Sequence, residues 1–221
     1  MALPRLSAPI QAARVTSGWG SSRAYRATAE NPNPTHEGLD WTAAVGTPVL
    51  AMADGVVVRV VDTPDTWAGR YVRLDHGGGL VTEYLHLGPM GLPVVGQRAA
   101  RGERLGYSGT SGINGDGSVV PHLHTTARAS GPALLEYRQR FGAPTAGYGH
   151  TNNGGTAVPL EPLVPAYYSS GVLGLSASLG ISTIQQMKGS PPRDAASSSR
   201  ATGGVLVAAL GLAAGVMWGR L

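Results

Sequence analysis

The sequence contains no cysteine among its 221 residues. This absence excludes a disulfide scaffold, a thiolate nucleophile and a zinc or iron–sulfur site with cysteine ligands. Lysine is nearly absent too, because Lys188 is the only lysine among 17 basic residues. The net charge of +4 is scattered along the chain, and without a basic run the sequence does not predict nucleic-acid binding. Any transition-metal site must therefore use histidine and carboxylate ligands, and six histidines are present.

Helical periodicity and an apolar leader are missing as well. The start of the chain lacks the apolar run of about 7–15 residues that is typical of a secretory signal. Residues 1–16 are therefore predicted to form an irregular N-terminal arm. Between residues 47 and 128, β-branched and alternating runs separated by glycine-rich turns replace helical spacing. We expect a mainly β fold, a compact antiparallel sheet with irregular loops.

Turn chemistry and alternation locate the predicted elements. The glycines at 77–79 separate two alternating runs and predict a hairpin. The predicted strands cover residues 56–61, 70–74, 80–87, 104–107 and 119–127. A short helix is predicted at 133–141, and the proline-rich residues 158–165 are expected to be extended on the domain surface.

The C-terminal part of the chain has a different composition. Residues 169–200 are predicted to be a weakly helical segment followed by a flexible linker, which begins at Lys188. Residues 201–218 carry no charge and as a helix would span about 27 Å, close to the hydrocarbon thickness of a bilayer. We expect a transmembrane anchor over 201–219, with self-association through Gly211 and Gly215. A buried C-terminal helix of a soluble protein is the alternative.

Four of the six histidines fall in three short clusters. His36 and Asp40 are four residues apart and share a face in a strand or a helix. His122 and His124 are two apart, so on a strand both imidazoles point the same way. His86 supplies the third cluster. A lone histidine on a strand is more often structural, but three clusters within one β region predict a mononuclear zinc site with nitrogen and oxygen ligands.

The order of these motifs resembles the lysostaphin/LytM-type zinc endopeptidases, whose usual substrate is the peptide part of peptidoglycan. The resemblance rests on His-x-x-x-Asp at 36–40, Tyr-x-His-Leu at 84–87 and His-x-His at 122–124. It covers about residues 17–128 and extends to the Leu-Glu-Pro-Leu segment at 160–163. It implies a mostly antiparallel β peptidase domain over residues 17–168, with an insertion at about 130–155.

Carried over position by position, the resemblance implies roles for five residues. His36, Asp40 and His124 would bind one zinc ion, and His86 and His122 would be catalytic residues that do not bind the metal. Three protein ligands leave zinc an open position for water, so the implied activity is zinc-dependent endopeptidase cleavage of bacterial cell-wall peptidoglycan. The sequence departs from the family in a long loop at 112–120, and in Thr125 and Thr126, where relatives usually have an aromatic residue and an acid.

Other interpretations stay open beside this one. The chain could be a catalytically inactive cell-wall binding or adaptor module of the same fold, or a membrane-anchored structural protein whose β domain holds a metal. His76 is expected to be structural, and His150 to lie in an exposed loop. Glu37 has an odd offset from His36 and is expected to point away from the site. The tryptophans at 19, 41 and 67 are expected to be packing or groove residues.

A wall hydrolase must reach the wall, yet no secretory leader is recognisable in the sequence. The C-terminal segment, by contrast, is hydrophobic. One hypothesis is a bacteriophage virion component, a lysin that opens the wall during genome entry and is anchored in a virion membrane. The extracytoplasmic face of a bacterial envelope is the other placement considered.

Overall fold

The structure is a computed structural model, and it describes residues 3–12, 14–23, 35–64, 66–144 and 155–164. The chain divides into two units, residues 1–177 and 178–221, and every described residue lies in the first. The elements of this unit are β1 (Val15–Ser17), β2 (Leu39–Thr42), β3 (Pro48–Leu50), β4 (Gly55–Val61), β5 (Arg70–Asp75), β6 (Leu80–Leu87), β7 (Arg98–Ala99), β8 (Arg104–Tyr107), β9 (His122–Ala129), α1 (Gly131–Phe141), β10 (Thr156–Val158) and a 3-10 turn (Glu161–Leu163).

An antiparallel sheet dominates the described residues. Its strands follow one another in the order β1-β2-β9-β6-β5-β4-β7, and β10 also pairs with β9. Strands β3 and β8 form a separate antiparallel pair. The mainly β antiparallel fold predicted from the sequence is confirmed here. The β5–β6 hairpin is confirmed as well, since Gly77, Gly78 and Gly79 in its turn all have positive φ, a conformation that favours glycine.

Strand β9 lies inside the sheet and separates two environments. Leu123 is completely buried, as are Trp41 on β2 and Tyr84 on β6, so this face of the sheet covers the core. His122 and His124, which alternate with Leu123, are only half-buried on the opposite face. Because side chains alternate along β9, one set packs in the core and the other set lies in the candidate site.

In the predicted N-terminal arm, residues 3–12 form no helix or strand, whereas residues 15 and 16 belong to β1. The apolar side chains of the arm belong to the core. Leu3, Leu6 and Ile10 are buried against the β domain. The backbone N–H of Leu6 donates to the carbonyl of Leu163 at 2.7 Å, which joins the arm to the 3-10 turn. Residues 3–12 are thus part of the folded unit.

The helix predicted at 133–141 is confirmed as α1, with a proline in its first turn. The prediction that residues 158–165 lie extended on the domain surface is wrong. Residue 158 ends β10, which pairs with β9, and the following 3-10 turn buries Leu160 and Leu163. These leucines are three residues apart, and side chains at that spacing eclipse one another in a 3-10 turn, so both face the core.

Several predicted segments fall outside the described residues. These are the segment at 169–200, the anchor at 201–219 with Gly211 and Gly215, and His150 in the predicted insertion. In the part of the chain that is described, no helix has the length and apolar character needed to cross a bilayer.

Shortening the buried residue between the two site histidines tests the role of β9 in the core. Leu123→Ala is expected to lower the free energy of unfolding by about 2–5 kcal/mol, because it leaves a cavity under the sheet. Val120→Ala is the control, since that side chain is 77% exposed and its loss should cost less than about 0.5 kcal/mol. Chemical denaturation measures both, and equal stabilities for the two variants would contradict this account of the core.

Candidate metal centre

Two adjacent antiparallel strands bring the candidate ligands together. In the β2–β9 pair, Asp40 lies opposite His124 and Thr42 lies opposite His122. Residues directly opposite in an antiparallel pair project from the same face of the sheet. His36 lies just before β2, where its backbone N–H donates to the Ser21 carbonyl at 2.8 Å. The register of β2 and β9 therefore places Asp40 and both β9 histidines on one face.

Three ligand-type atoms form a small triangle on this face. His36 Nε2 lies 3.0 Å from Asp40 Oδ1, and this oxygen lies 2.8 Å from His124 Nδ1. The two histidine nitrogens are 2.9 Å apart. His36 is buried, and the other two residues are half-buried. Within the described residues, this is the group of histidine and acidic side chains whose atoms converge closely enough to hold a metal ion.

Hydrogen bonds on the far side of each ring fix the proton positions. His36 Nδ1 lies 2.9 Å from the Gly18 carbonyl. A carbonyl oxygen only accepts, so Nδ1 carries a proton, and in the neutral ring the lone pair is on Nε2. His124 Nε2 lies 3.0 Å from Thr126 Oγ1, whose hydroxyl proton is donated to the Glu37 carbonyl at 3.0 Å. Thr126 therefore accepts from His124 Nε2–H, and the lone pair of His124 is on Nδ1.

These protonation states show that the donor set fits a metal ion. Two nitrogen lone pairs and a carboxylate oxygen face one another at 2.8–3.0 Å, an arrangement that is repulsive unless a cation lies among them. Zinc binds such nitrogen and oxygen ligands at about 2.0–2.2 Å, which separates neighbouring ligands of a tetrahedral ion by about 3.3 Å. The observed triangle is slightly tighter than this value. His36, Asp40 and His124 can thus hold zinc as three protein ligands.

The remaining oxygen of Asp40 is held by a residue that sequence reasoning missed. Arg23 donates to Asp40 Oδ2 at 2.9 Å and to Ser17 Oγ at 3.0 Å. The guanidinium group also forms an ion pair with this carboxylate at the same distance. Arg23 therefore orients the Asp40 carboxylate through Oδ2.

Gly38 explains how β2 can approach β9 so closely beside the site. A Cβ atom at this position would clash with the Thr125 carbonyl and would lie only 2.8 Å from His124 Nε2. Only glycine fits between His36 and Asp40 without displacing the imidazole.

His86 is held beside the triangle by an unusual backbone conformation. Its φ is +63°, a left-handed value that costs energy in a residue other than glycine, and its N–H donates to the Ala68 carbonyl at 3.0 Å. His86 Nδ1 lies 2.9 Å from the Ser111 carbonyl, so Nδ1 is the donor and Nε2 is free to accept a proton. Burial lowers the pKa of His86 to about 3, and the neighbouring His124 and His122 rings disfavour a positive charge there as well. The ring is therefore neutral at neutral pH.

Ser111, a second residue missed from the sequence, holds that carbonyl in place. Its buried hydroxyl donates to the Leu87 carbonyl at 2.8 Å and accepts from the Arg70 N–H at 2.9 Å. Arg70 also forms an ion pair at 2.6 Å with Asp116, within the long loop at 112–120. This loop is thereby tied to the strands that carry His86.

His122 completes the set in the same way as His86. Its Nδ1 lies 2.7 Å from the Val120 carbonyl, which leaves Nε2 as the nitrogen able to accept a proton. That Nε2 atom is 3.7 Å from Asp40 Oδ1, and the His122 ring centroid lies 4.7 Å from that of His86. The His86 and His122 rings thus both stand next to the metal triangle.

The structure brings all five predicted site residues together, and their individual roles stay predictions. His76 lies elsewhere and contacts the Asp54 carbonyl and Thr82, in agreement with a structural role. The Glu37 carboxylate faces Arg128 at 4.0 Å, which agrees with its predicted direction away from the triangle. Trp41 is a core residue, whereas Trp67 is 64% exposed.

Thr126 provides a test of how the His124 ring is oriented. Thr126→Val removes the acceptor for His124 Nε2–H while keeping the size of the side chain. Because residues that orient a metal-bound histidine typically contribute tenfold or more, zinc affinity is expected to fall by about 10- to 100-fold. Thr126→Ser keeps the hydroxyl and should bind zinc like the parent. Chelator competition measures both, and a Val variant with parental affinity would contradict the assigned His124 tautomer.

Comparison with known proteins connects this site to a family. Residues 34–135 match the model described as peptidase family M23. An uncharacterized metalloprotease of Haemophilus influenzae is 40% identical over 128 residues, which cover 57% of this chain and 25% of that protein. The peptidoglycan DD-endopeptidase ShyA of Vibrio cholerae is 43% identical over 90 residues, 40% of this chain and 19% of that protein. The matched region thus spans a quarter or less of these relatives.

Among solved structures, a zinc-containing peptidase from Vibrio cholerae is 30% identical and covers 57% of this chain and 36% of that chain, with a TM-score of 0.45. The family assignment rests on the sequence matches. The family model covers the segments that carry His36, Asp40, His86, His122 and His124. Residues 34–135 of this chain are a domain of peptidase family M23.

Proposed function

We propose that the chain is a zinc-dependent endopeptidase that hydrolyses peptide bonds in bacterial peptidoglycan. The observation that carries this proposal is the triangle of His36, Asp40 and His124, whose ligand atoms converge beside the His86 and His122 rings. The substrate class is suggested by relatives named peptidoglycan DD-endopeptidases. All five positions that the resemblance singled out are present, which favours catalysis over a binding module that lacks turnover.

The protein residues supply orientation and proton transfer. When bound, zinc lowers the pKa of a water molecule in its open position towards about 7 and polarises the carbonyl of the scissile bond. His36 and His124 present fixed lone pairs, because Gly18 and Thr126 hold their protonated nitrogens. Arg23 keeps the Asp40 carboxylate in one orientation.

His86 and His122 are placed to move the protons that peptide hydrolysis requires. Each ring donates its Nδ1 proton to a backbone carbonyl, so its Nε2 can take a proton from the attacking water. The same Nε2 then returns a proton to the amine of the leaving peptide. A ring protonated at Nε2 is also a donor that stabilises negative charge on the former carbonyl oxygen.

Substitution of a ligand and of a catalytic histidine should have different effects. His36→Ala is expected to lose zinc, because two ligands rarely hold the metal. His122→Ala should keep stoichiometric zinc and lose peptidoglycan hydrolysis by about 100- to 10,000-fold, the usual contribution of proton transfer. Metal analysis and zymography on peptidoglycan, with and without chelator, measure the two properties.

Two outcomes of that experiment would contradict the proposal. Stoichiometric zinc in the His36→Ala protein would remove the ligand assignment. Zinc binding without cleavage of any peptidoglycan by the unaltered protein would favour the binding or adaptor module instead. Mass spectrometry of the released peptides identifies the bond that is cut.

For placement, we propose that residues 201–219 anchor the protein in a membrane and that it acts as a virion-associated lysin. The uncharged run with Trp218 and Arg220 at its end supports the anchor, and Gly211 and Gly215 support self-association within it. A virion component would be packaged during assembly and carried to the wall with the particle. The cellular alternative is the extracytoplasmic face of a bacterial envelope.

Flotation and virion composition test this placement. The full chain should float with lipid vesicles, and a chain that ends at residue 199 should stay in the dense fraction. Identical behaviour of the two chains would remove the anchor. Detection of the protein in purified phage particles is expected, and its absence from them would remove the virion hypothesis.

A further inference from the structure

The carboxylate of Glu161 reaches the metal triangle through one peptide group. Glu161 Oε1 accepts the backbone N–H of Trp19 at 2.9 Å. The carbonyl of the same peptide group belongs to Gly18, and it accepts the Nδ1 proton of His36 at 2.9 Å. A continuous path therefore runs from the carboxylate, through one peptide, to a ligand-bearing ring. The first bond of this path, between Trp19 and Glu161, joins residues that are 142 positions apart in the sequence.

We propose that Glu161 is a positioning residue that fixes His36 for zinc by accepting the N–H of the Gly18–Trp19 peptide. The inference rests on the proposed zinc site and adds a member to it. Glu161 touches neither substrate nor metal in this scheme. It acts by holding the peptide in the orientation in which its carbonyl points at His36 Nδ1.

The surroundings of Glu161 make it a rigid support. It opens the 3-10 turn between the fully buried Leu160 and Leu163. The backbone of Leu163 is in turn bound by Leu6 of the N-terminal arm. A carboxylate fixed on a buried turn can hold a loop peptide more precisely than one on a flexible surface loop.

Glycine at position 18 allows the close approach. A Cβ atom there would lie 3.3 Å from Glu161 Oε1, which is tighter than ordinary contact, so a larger residue would push the peptide and the carboxylate apart. The second oxygen, Oε2, is shielded from solvent and makes no hydrogen bond with any of the described residues. Burying a carboxylate oxygen without a partner costs free energy. An apolar residue at position 161 would avoid that cost. The presence of a glutamate is therefore explained by a function of its Oε1 atom.

Hydrogen bonds in series also strengthen one another. When Trp19 N–H donates to a carboxylate, the peptide is polarised and its carbonyl becomes a better acceptor for His36 Nδ1–H. A stronger bond at Nδ1 holds the ring in the tautomer with its lone pair on Nε2 and makes that nitrogen a better metal ligand. Glu161 thereby supports the Gly18 carbonyl, which holds the His36 ring as Thr126 Oγ1 holds the His124 ring.

Zinc affinity of three full-length variants tests the proposal. Glu161→Met keeps the bulk and removes the acceptor, and it is expected to weaken zinc binding by about 10-fold in chelator competition. Glu161→Gln keeps an acceptor oxygen for Trp19 N–H and should stay within about threefold of the parent. The matched control is Glu136→Met, because Glu136 likewise accepts a backbone N–H, that of Leu3 at 2.8 Å, and contacts no site residue. It should leave zinc affinity unchanged.

The possible outcomes distinguish a positioning role of Glu161 from a purely structural one. They also distinguish failure of this proposal from failure of the proposed function. Parental zinc affinity in Glu161→Met, or equal losses in the Met and Gln variants, would overturn it. The unfolding midpoint of each metal-free variant shows whether a change in affinity follows from a loss of folding. An unaltered protein that binds no zinc would contradict the zinc peptidase itself, whereas unaltered binding in all variants contradicts only the role of Glu161.

Amide hydrogen exchange in the unaltered protein provides a second measurement that does not depend on a variant folding. Because coupling is reciprocal, zinc binding at His36 should strengthen the bond between Trp19 N–H and Glu161. Exchange of the Trp19 amide should therefore slow more on zinc addition than that of Leu3, whose amide is bound to Glu136. Equal slowing of both amides would overturn the proposal.

Discussion

The antiparallel register between β2 and β9 is the constraint on which the site depends. It sets Asp40 opposite His124 and Thr42 opposite His122. A slip by one residue would turn each of these side chains to the other face and would bring Leu123 out of the core. On the core face, Trp41 stabilises this register, because it is buried and donates to Thr125 across the same pair of strands at 2.8 Å. Packing on the core face of the sheet thus determines where the metal-site residues lie on the opposite face.

Oxygen atoms of the protein orient the side chains that the register brings together. Each functional imidazole donates one ring proton to a fixed oxygen, and these acceptors are the carbonyls of Gly18, Ser111 and Val120 and the hydroxyl of Thr126. Backbone carbonyls hold three of the four rings, so the orientation depends on chain conformation more than on the identity of the neighbouring side chain. This dependence explains the left-handed backbone at His86, which brings Nδ1 to the Ser111 carbonyl at an energetic cost that the surrounding contacts offset.

The sequence predicted the parts of this site that follow from short spacing. His36 with Asp40 and His122 with His124 lie on one face because of their periodicity, and the hairpin at 77–79 follows from turn chemistry. Arg23 and Ser111 had no such signal, since each acts through a partner that only the fold brings near. The prediction for residues 158–165 is wrong because a proline at every third position favours an extended chain, whereas burial of Leu160 and Leu163 determines the actual conformation.

The N-terminal arm shows that the folded domain begins before the residues that the family model matches. The family match begins at residue 34, yet Leu3, Leu6 and Ile10 are packed in the core, and the peptide that orients His36 lies at 18–19. At the other end the match stops at residue 135, before Leu160 and Leu163 close the same core. A fragment cut at the limits of the family model would lose core side chains at both ends together with part of its metal-site support. The unit that folds is longer than the segment that the family model matches.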